Sequence, residues 1–265
     1  ENGVATAFVD LHCHWLPGID DGARTLDEGL EMLRGLFSLG FVHVVATPHM
    51  RPGMFDNVKS DLVSKYQSVL ETLETQFGPL SSNSSPTHGL PEVSLGSEHY
   101  FDDGVIAALR AGNGLPYARG VQSAETRGSG GLLVEFHDLT PAAAIERQLF
   151  ELQTLGYVPV IAHPERYRSV WEDPNRLGRL LDLGSTALLD VAAVVGKYGR
   201  EAEKCSKKLL ELGFYGAACS DAHRPSDLAA VARGMSWIRG EYGQEELDFL
   251  MAEAPTQLLA GKRPT

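Results

Sequence analysis

The sequence predicts an α/β protein, a barrel of the β/α type or a distorted relative of one, and three observations carry that prediction. Short β-rich runs alternate with amphipathic helical stretches along almost the whole chain, the pattern of parallel strands joined by right-handed helical crossovers. Six of the seven predicted strands end in or run into histidine or carboxylate residues, and nothing comparable decorates their beginnings. No internal repeat and no long linker divides the 265 residues, so 1–265 is expected to form a single domain.

The predicted strands are Ala7–Leu11, Val42–Ala46, Val93–Leu95, Leu132–Phe136, Val158–Ala162, Ala187–Val191 and Tyr215–Cys219. Between them, apolar residues recur at helical spacing: Leu26, Leu30, Leu33 and Phe37, then Leu62, Tyr66, Val69, Leu73 and Phe77. Ile145, Leu149, Leu152 and Leu155 form another stripe, as do Leu177, Leu180 and Leu181, and then Ala202, Cys205, Leu209 and Leu212. Each marks a helix with one buried face. Pro79–Glu92 and Arg119–Gly131, rich in Ser, Gly and Pro, read as surface loops inside the domain.

Composition excludes several classes. The chain has 35 acidic against 23 basic residues and a formal charge of −12, so it has no electrostatic footprint for nucleic acid or an anionic membrane. Its longest apolar stretches, such as Thr186 to Val195, are interrupted by Asp190 and fall short of the roughly 20 residues a membrane span needs. Cys13, Cys205 and Cys219 are odd in number and far apart. A reducing cytoplasm is therefore the expected location.

The chemistry lies at the strand ends. The first strand runs into Asp10-Leu11-His12-Cys13-His14, with Asp20-Asp21-Gly22 close behind, and the second into Thr47-Pro48-His49. The third runs into Glu98, the fourth contains Glu135, the fifth runs into His163, and the last into Asp221 and His223. In a β/α barrel the C-terminal strand ends share one rim, where such folds build active sites. Histidine with carboxylate is the ligand set of zinc, manganese, iron or cobalt. So many donors imply two or three ions with bridging carboxylates, and ions about 3.5–4 Å apart suit in-line displacement at phosphorus. A single histidine after a strand is more often a hydrogen-bonded structural residue; the joint pattern is what argues for metal.

His43 and His99 are out of phase with the pattern and His88 lies in a polar loop, so none is expected as a ligand, whereas His137 could share the face of Glu135. Cys13 should point away from its flanking histidines into packing. A cysteine phosphatase needs an arginine six positions after its thiolate, and those positions hold Ile19, Glu211 and Pro225. There is no G-x-S-x-G elbow and no P-loop. Arg166 and Arg224 each follow a candidate ligand and are candidate phosphate contacts, with salt bridges to rim carboxylates as the alternative; Arg51 is a third, weaker candidate.

Several of these segments together resemble a known family. Asp10-Leu11-His12-Cys13-His14, Ala46-Thr47-Pro48-His49, Ala162-His163-Pro164-Glu165-Arg166-Tyr167 and Ser220-Asp221-Ala222-His223 are similar to the PHP (polymerase and histidinol phosphatase) superfamily. Pro17-Gly18-Ile19-Asp20-Asp21-Gly22, Gly196-Lys197-Tyr198-Gly199 and the closing Ala254-Pro255 to Gly261 resemble the CpsB/CapC/YwqE-type bacterial tyrosine phosphatases, over about residues 8 to 262. The resemblance implies a distorted (β/α)7 barrel and a trinuclear, usually manganese-dependent site. Its ligands would be His12, His14, Asp21, His49, Glu98, Glu135, His163, Asp221 and His223, with Asp21 preferred over Asp20, Glu135 bridging and Arg166 on the phosphate. The loop after His223 is short, which sets Arg224 apart from the family's usual second arginine.

The expected activity is thus a metal-dependent protein-tyrosine phosphatase acting on the tail of a bacterial tyrosine kinase that controls capsule or exopolysaccharide synthesis. Arg166 and Arg224 would hold the phosphate, and His223 or Asp221 would assist the leaving group. An alternative keeps the site and changes the substrate to a small phosphoester such as histidinol phosphate. A nuclease is disfavoured by the net charge. An amidohydrolase with a lysine at a strand end is disfavoured because all seven lysines lie in helices, loops or the tail. A silent binding protein would have lost a ligand, and none of the nine is missing.

Overall fold

A computed structural model describes residues 7–80, 88–118, 130–137 and 139–264. Most of the two expected polar loops, at 81–87 and 119–129, lies outside the described residues. The first half of the chain runs β1 (Phe8–Cys13), α1 (Leu26–Ser38), β2 (Phe41–Ala46), β3 (His49–Met50), α2 (Lys59–Phe77), β4 (Glu92–Leu95), β5 (Glu98–Tyr100) and α3 (Asp103–Arg110). It continues through β6 (Gly130–Glu135), α4 (Ala142–Thr154), β7 (Tyr157–Ala162), α5 (Arg168–Glu172), α6 (Asn175–Asp182), β8 (Thr186–Asp190), α7 (Arg200–Glu211) and β9 (Tyr215–Cys219). Three helices close it: α8 (Leu228–Tyr242), α9 (Gln244–Asp248) and α10 (Ala254–Leu259).

All strand pairing is parallel, in two sheets with the orders β1-β2-β4 and β3-β5-β6-β7-β8-β9. A parallel bridge between Cys13 and Ala222 links the end of β1 to the segment after β9. Every strand predicted from the sequence is present, with ends shifted by up to two residues. Two very short strands were not anticipated: β3 and β5 continue beyond β2 and β4 after Thr47-Pro48 and Gly96-Ser97, and pair His49 with Glu98. The helices after residue 219 were also missed, because Ala- and Gly-rich α8 lacks a sharp apolar stripe.

Side-chain alternation along the strands builds two buried layers. Val9, Leu11, Val45, Leu133, Val160, Ala162, Leu188, Ala217 and Cys219 meet in one cluster, which therefore draws on both sheets and is plugged by Ala254, Leu258 and Leu259 of α10. The opposite strand faces pack on the helices, where Leu33, Leu36, Leu73, Leu149, Leu209 and Ile238 are buried. Helix α1 begins at a reciprocal cap: the Thr25 hydroxyl accepts from Glu28 N at 3.2 Å, and the Glu28 carboxylate accepts from Arg24 N at 2.8 Å. That cap fixes where the Pro17–Ala23 turn re-enters the fold. Cys13, Cys205 and Cys219 are free and buried. No helix among the described residues is long and apolar enough to cross a membrane.

Candidate metal centre

The nine candidate ligands fall into four overlapping groups, each with ligand atoms within 4.8 Å of one another: His14, Asp21, His49 and His223; His12, Glu98 and His163; His12, His14 and Asp221; and His49, Glu98 and Glu135. Glu98 lies at the middle. Its Oε2 is 3.1 Å from His12 Nε2, 3.0 Å from His49 Nδ1 and 3.6 Å from His14 Nε2, while Oε1 is 2.9 Å from His163 Nε2. Asp221 Oδ1 is 3.1 Å from His12 Nε2 and 3.4 Å from His14 Nε2. Asp21 Oδ1 spans His49 Nε2 at 3.4 Å and His223 Nε2 at 3.5 Å.

Backbone geometry brings these chain segments together. Asp221 N donates to His12 O, and His14 N donates to Ala222 O, both at 2.9 Å, so the segments bearing His12, His14, Asp221 and His223 are zipped side by side. Asp10 locks the zipper underneath, accepting from Ser220 N at 3.0 Å and from the Ser220 hydroxyl at 2.5 Å. His163 and Asp221 have φ values of +33° and +42°. Side chains rarely adopt that left-handed conformation, which costs about 1–3 kcal/mol at each position and clusters at functional sites.

The electrostatics fit a cation. Burial raises the Glu98 carboxyl, but the His12 and His49 charges outweigh it and hold the group well below the usual carboxylate range. Asp221 is likewise driven down, burial being overcome by His12, Arg166 and His223. His49 is raised to about 11 against its burial, chiefly by Glu98. Glu135, raised by burial and then by Glu98, reaches about 7. His12 Nε2 also lies 3.1 Å from His14 Nε2. One ring proton cannot serve another imidazole and two carboxylates at once, and the buried Asp221 Oδ1 and Glu135 Oε2 make no hydrogen bond among the described residues. Converging nitrogen and carboxylate lone pairs of this kind are a divalent-metal donor set.

Around the cluster stand residues that sequence reasoning missed or assigned otherwise. Asp20 points to the far nitrogen of an imidazole: its Oδ2 is 2.8 Å from His14 Nδ1 and accepts from His49 N at 3.1 Å, while Oδ1 accepts from Gly22 N at 2.8 Å. Asp190, wholly buried at the end of β8, shares the Arg166 Nη2 donor with Asp221. Its only sequence signal was a charge breaking an apolar run. The Arg166 guanidinium is stacked 3.6 Å from the Tyr198 ring centroid. Lys197 reaches Asp227 at 3.3 Å, and Asp227 accepts from His223 N at 2.9 Å and Arg224 N at 3.0 Å.

Arg166 lines a cavity of about 230 Å³ with Arg51, Tyr100, Glu135, His163 and Tyr167. Arg224 does not line it; its Nη1 donates to the backbone carbonyls of Gly22 and His223. His137 borders the cavity but joins none of the four groups. His43 pairs with the Ser94 hydroxyl at 2.8 Å, and His99 bridges Leu133 O at 2.9 Å and Leu115 N at 3.2 Å, so both are structural.

A parallel α/β fold with a largely buried cluster of five histidines and four carboxylates, open at Asp21, defines a metallohydrolase-like class of site. Residues 8–260 match the family model described as "Capsular polysaccharide synthesis, CpsB/CapC". The chain belongs to the CpsB/CapC family. It is 28% identical over 255 residues to the tyrosine-protein phosphatase YwqE of Bacillus subtilis, covering 95% of this chain and 91% of that protein. It is 28% identical over 219 residues to the putative tyrosine-protein phosphatase CapC of Staphylococcus aureus, covering 82% and 77%. A chain from the crystal structures of YwqE and of CpsB from Streptococcus pneumoniae, described as "unique metal-dependent tyrosine phosphatases", superposes with a TM-score of 0.79 at 26% identity, over 97% of this chain and 96% of that one.

Proposed function

We propose that the protein is a metal-dependent protein-tyrosine phosphatase of PHP type, that residues 1–265 act as one such unit, and that the two sheets close into a distorted (β/α)7 barrel with the metal site at its C-terminal rim. The observation that carries this is the nine-residue donor cluster beside a cavity holding a partly unpartnered arginine, in a chain whose relatives bear that activity in their names. The ligands are His12, His14, Asp21, His49, Glu98, Glu135, His163, Asp221 and His223. Asp21, Glu98, Glu135 and Asp221 carry four negative charges when ionised; three divalent ions carry six positive ones, and the surplus of two matches a phosphate dianion. That balance favours the upper end of the two to three ions proposed, and manganese is taken as the metal from the family resemblance. Bound ions lower the pKa of coordinated water and neutralise charge on phosphoryl oxygens.

The chain's own residues do the rest. Arg166 is pinned through Nη2 by Asp190 and Asp221 and leaves its buried Nε without a partner among the described residues, so that N–H is free to donate to a phosphoryl oxygen. Tyr100, Phe136 and Tyr167 give the cavity aromatic walls suited to an aryl ester. A tyrosyl leaving group has a pKa of about 10, so it departs with little help from an acid; Asp221 and His223 act first as ligands and only second on the leaving oxygen. Arg224, bonded to two carbonyls, braces the loop of Gly22. The partner would be a phosphotyrosine protein, by family context the tail of a cytoplasmic bacterial tyrosine kinase in capsule or exopolysaccharide synthesis. The test is phosphate release from matched peptides carrying phosphotyrosine or phosphoserine. Turnover confined to the first supports the assignment, and equal or absent turnover of both, with metal bound, moves it to small phosphoesters.

A further inference from the structure

Two guanidinium groups, not one, face the cavity beside the metal ligands. Arg51 follows β3 directly, and the β3–β5 register, His49 opposite Glu98 and Met50 opposite His99, sets it next to Tyr100. Its guanidinium carbon lies 4.1 Å from the Tyr100 ring centroid, a cation–π distance. The loop that carries it is built to stay put. Arg51 N donates to Phe55 O at 3.1 Å and Phe55 N donates back to Arg51 O at 2.8 Å, across a turn whose Gly53 has φ +79°. Asn57 then ties the loop to two ligand segments through one amide nitrogen, donating to His49 O at 2.8 Å and Ile19 O at 3.0 Å. The Phe55 ring lies nearly parallel to that of His49, at 6° and 5.2 Å.

Arg51 is engaged by Tyr100, through the ring and a hydrogen bond to its hydroxyl, but lacks a committed carboxylate. The carboxylate oxygen nearest it, Glu135 Oε2, is 3.9 Å away, beyond hydrogen-bond range, and the two side chains are 28% and 19% exposed, where an ion pair contributes little. Arg224 is the opposite case, its Nη1 already satisfied by the backbone. A planar guanidinium held in place by an aromatic ring, with free donors on a cavity shared with Arg166 and the metal ligands, is matched to the forked oxygens of a phosphate.

We propose that Arg51 is the second phosphate-contacting guanidinium of this site, and that Tyr100 is the positioning residue that holds it. This rests on the phosphatase assignment for its substrate but not for its ligand, because inorganic phosphate alone probes it. The experiment measures inorganic phosphate affinity of the manganese-loaded protein by calorimetry, together with KM and kcat on a phosphotyrosine peptide and metal content by elemental analysis. Arg51→Met is expected to weaken phosphate binding by about 10-fold or more and to raise KM similarly, with metal content unchanged. Arg51→Lys, which keeps the charge without the fork, should recover part of that loss. Tyr100→Leu should weaken phosphate by about 3-fold or more, while Tyr100→Phe, which keeps the ring and loses only the hydroxyl's hydrogen bond to Arg51, should weaken it less. Phosphate affinity within two-fold of wild type in both Arg51 variants would overturn the proposal, as would a Tyr100→Leu variant that only lowers thermal stability. If Arg51→Met loses its metal, Arg51→Lys decides alone, with unchanged affinity counting against. A wild-type protein inert on phosphotyrosine whose phosphate binding still depends on Arg51 would remove the phosphatase assignment and leave this one standing.

Discussion

Asp20 stands directly behind His14: its Oδ2 is 2.8 Å from Nδ1, while the Nε2 of the same ring faces Asp221 and Glu98. Adjacent carboxylates thus divide two tasks, with Asp21 turned into the cluster between His49 and His223 and Asp20 turned to the outer nitrogen of His14, a proposed ligand. A carboxylate there fixes the tautomer and the orientation of the imidazole.

That division predicts different outcomes for neighbouring substitutions. Asp20→Asn should weaken metal affinity by about 10–100-fold while full metal stoichiometry is still reached at saturation. Asp21→Ala should lower the stoichiometry itself. Metal titration followed by elemental analysis separates the two, and identical behaviour would show that the roles have been wrongly divided.

Gly22 follows the pair at a place where no side chain fits. A Cβ there would sit 2.1 Å from His14 O and 2.5 Å from His14 Cβ. Gly22→Ala must therefore push the Asp20–Asp21 turn off His14. The expected result is a loss of about 1–3 kcal/mol in stability together with weaker metal binding, measured by denaturant unfolding with and without manganese. A variant as stable as wild type, with unaltered metal affinity, would contradict the close packing of Gly22 against His14.

Much of this site was legible in the chain because alternation and strand ends are written in residue type. Asp10 to His14, His163, and Asp221 with His223 sit where a β-rich run stops, and parallel topology then brings distant segments to one edge. What was illegible follows from the same physics. His49 and Glu98 are themselves expected as candidates beyond the second and third predicted strands, but the strands of two and three residues that carry them are too short to show a period. Asp190 lies inside an apolar strand, where it served only to argue against a membrane span; its partnership with Arg166 is a tertiary fact with no local signature. Arg51 and Tyr100 are 49 residues apart in sequence and meet only through the β3–β5 register.

Glu165 offers a test by pH. Its carboxyl is wholly buried, accepting from Asp190 N and the Tyr215 hydroxyl, both at 2.9 Å. Burial, and then the Asp190 charge, push it up from 4.5 to about 8. The folded state thus binds this proton more tightly than the unfolded chain does. Its stabilising contribution is whole below about 4.5 and is lost as pH rises to about 8. A glutamine can still accept from Asp190 N through its amide oxygen, and its amide nitrogen can donate to the Tyr215 hydroxyl oxygen in a reversed bond, without the charge. Between pH 5 and pH 8.5 the melting temperature of the wild type should fall by about 4 °C or more relative to Glu165→Gln, and melting curves that stay parallel across that range would contradict the burial argument.

Glu98 tests the heart of the cluster. Four imidazoles face this one carboxylate, so Glu98→Ala removes the shared acceptor. Metal content should fall by at least one equivalent and phosphotyrosine turnover by about 100-fold or more. Retention of both would mean that Glu98 is a buried structural acid and not a ligand.

The most direct measurement is a manganese titration of the fully chelated protein, following phosphate release from a phosphotyrosine peptide and bound metal together. Turnover should be absent without metal, rise as two to three equivalents bind, and vanish again on chelation. Turnover that persists in the metal-free protein, or metal that binds without conferring any, would contradict a metal-dependent phosphatase built on these nine residues.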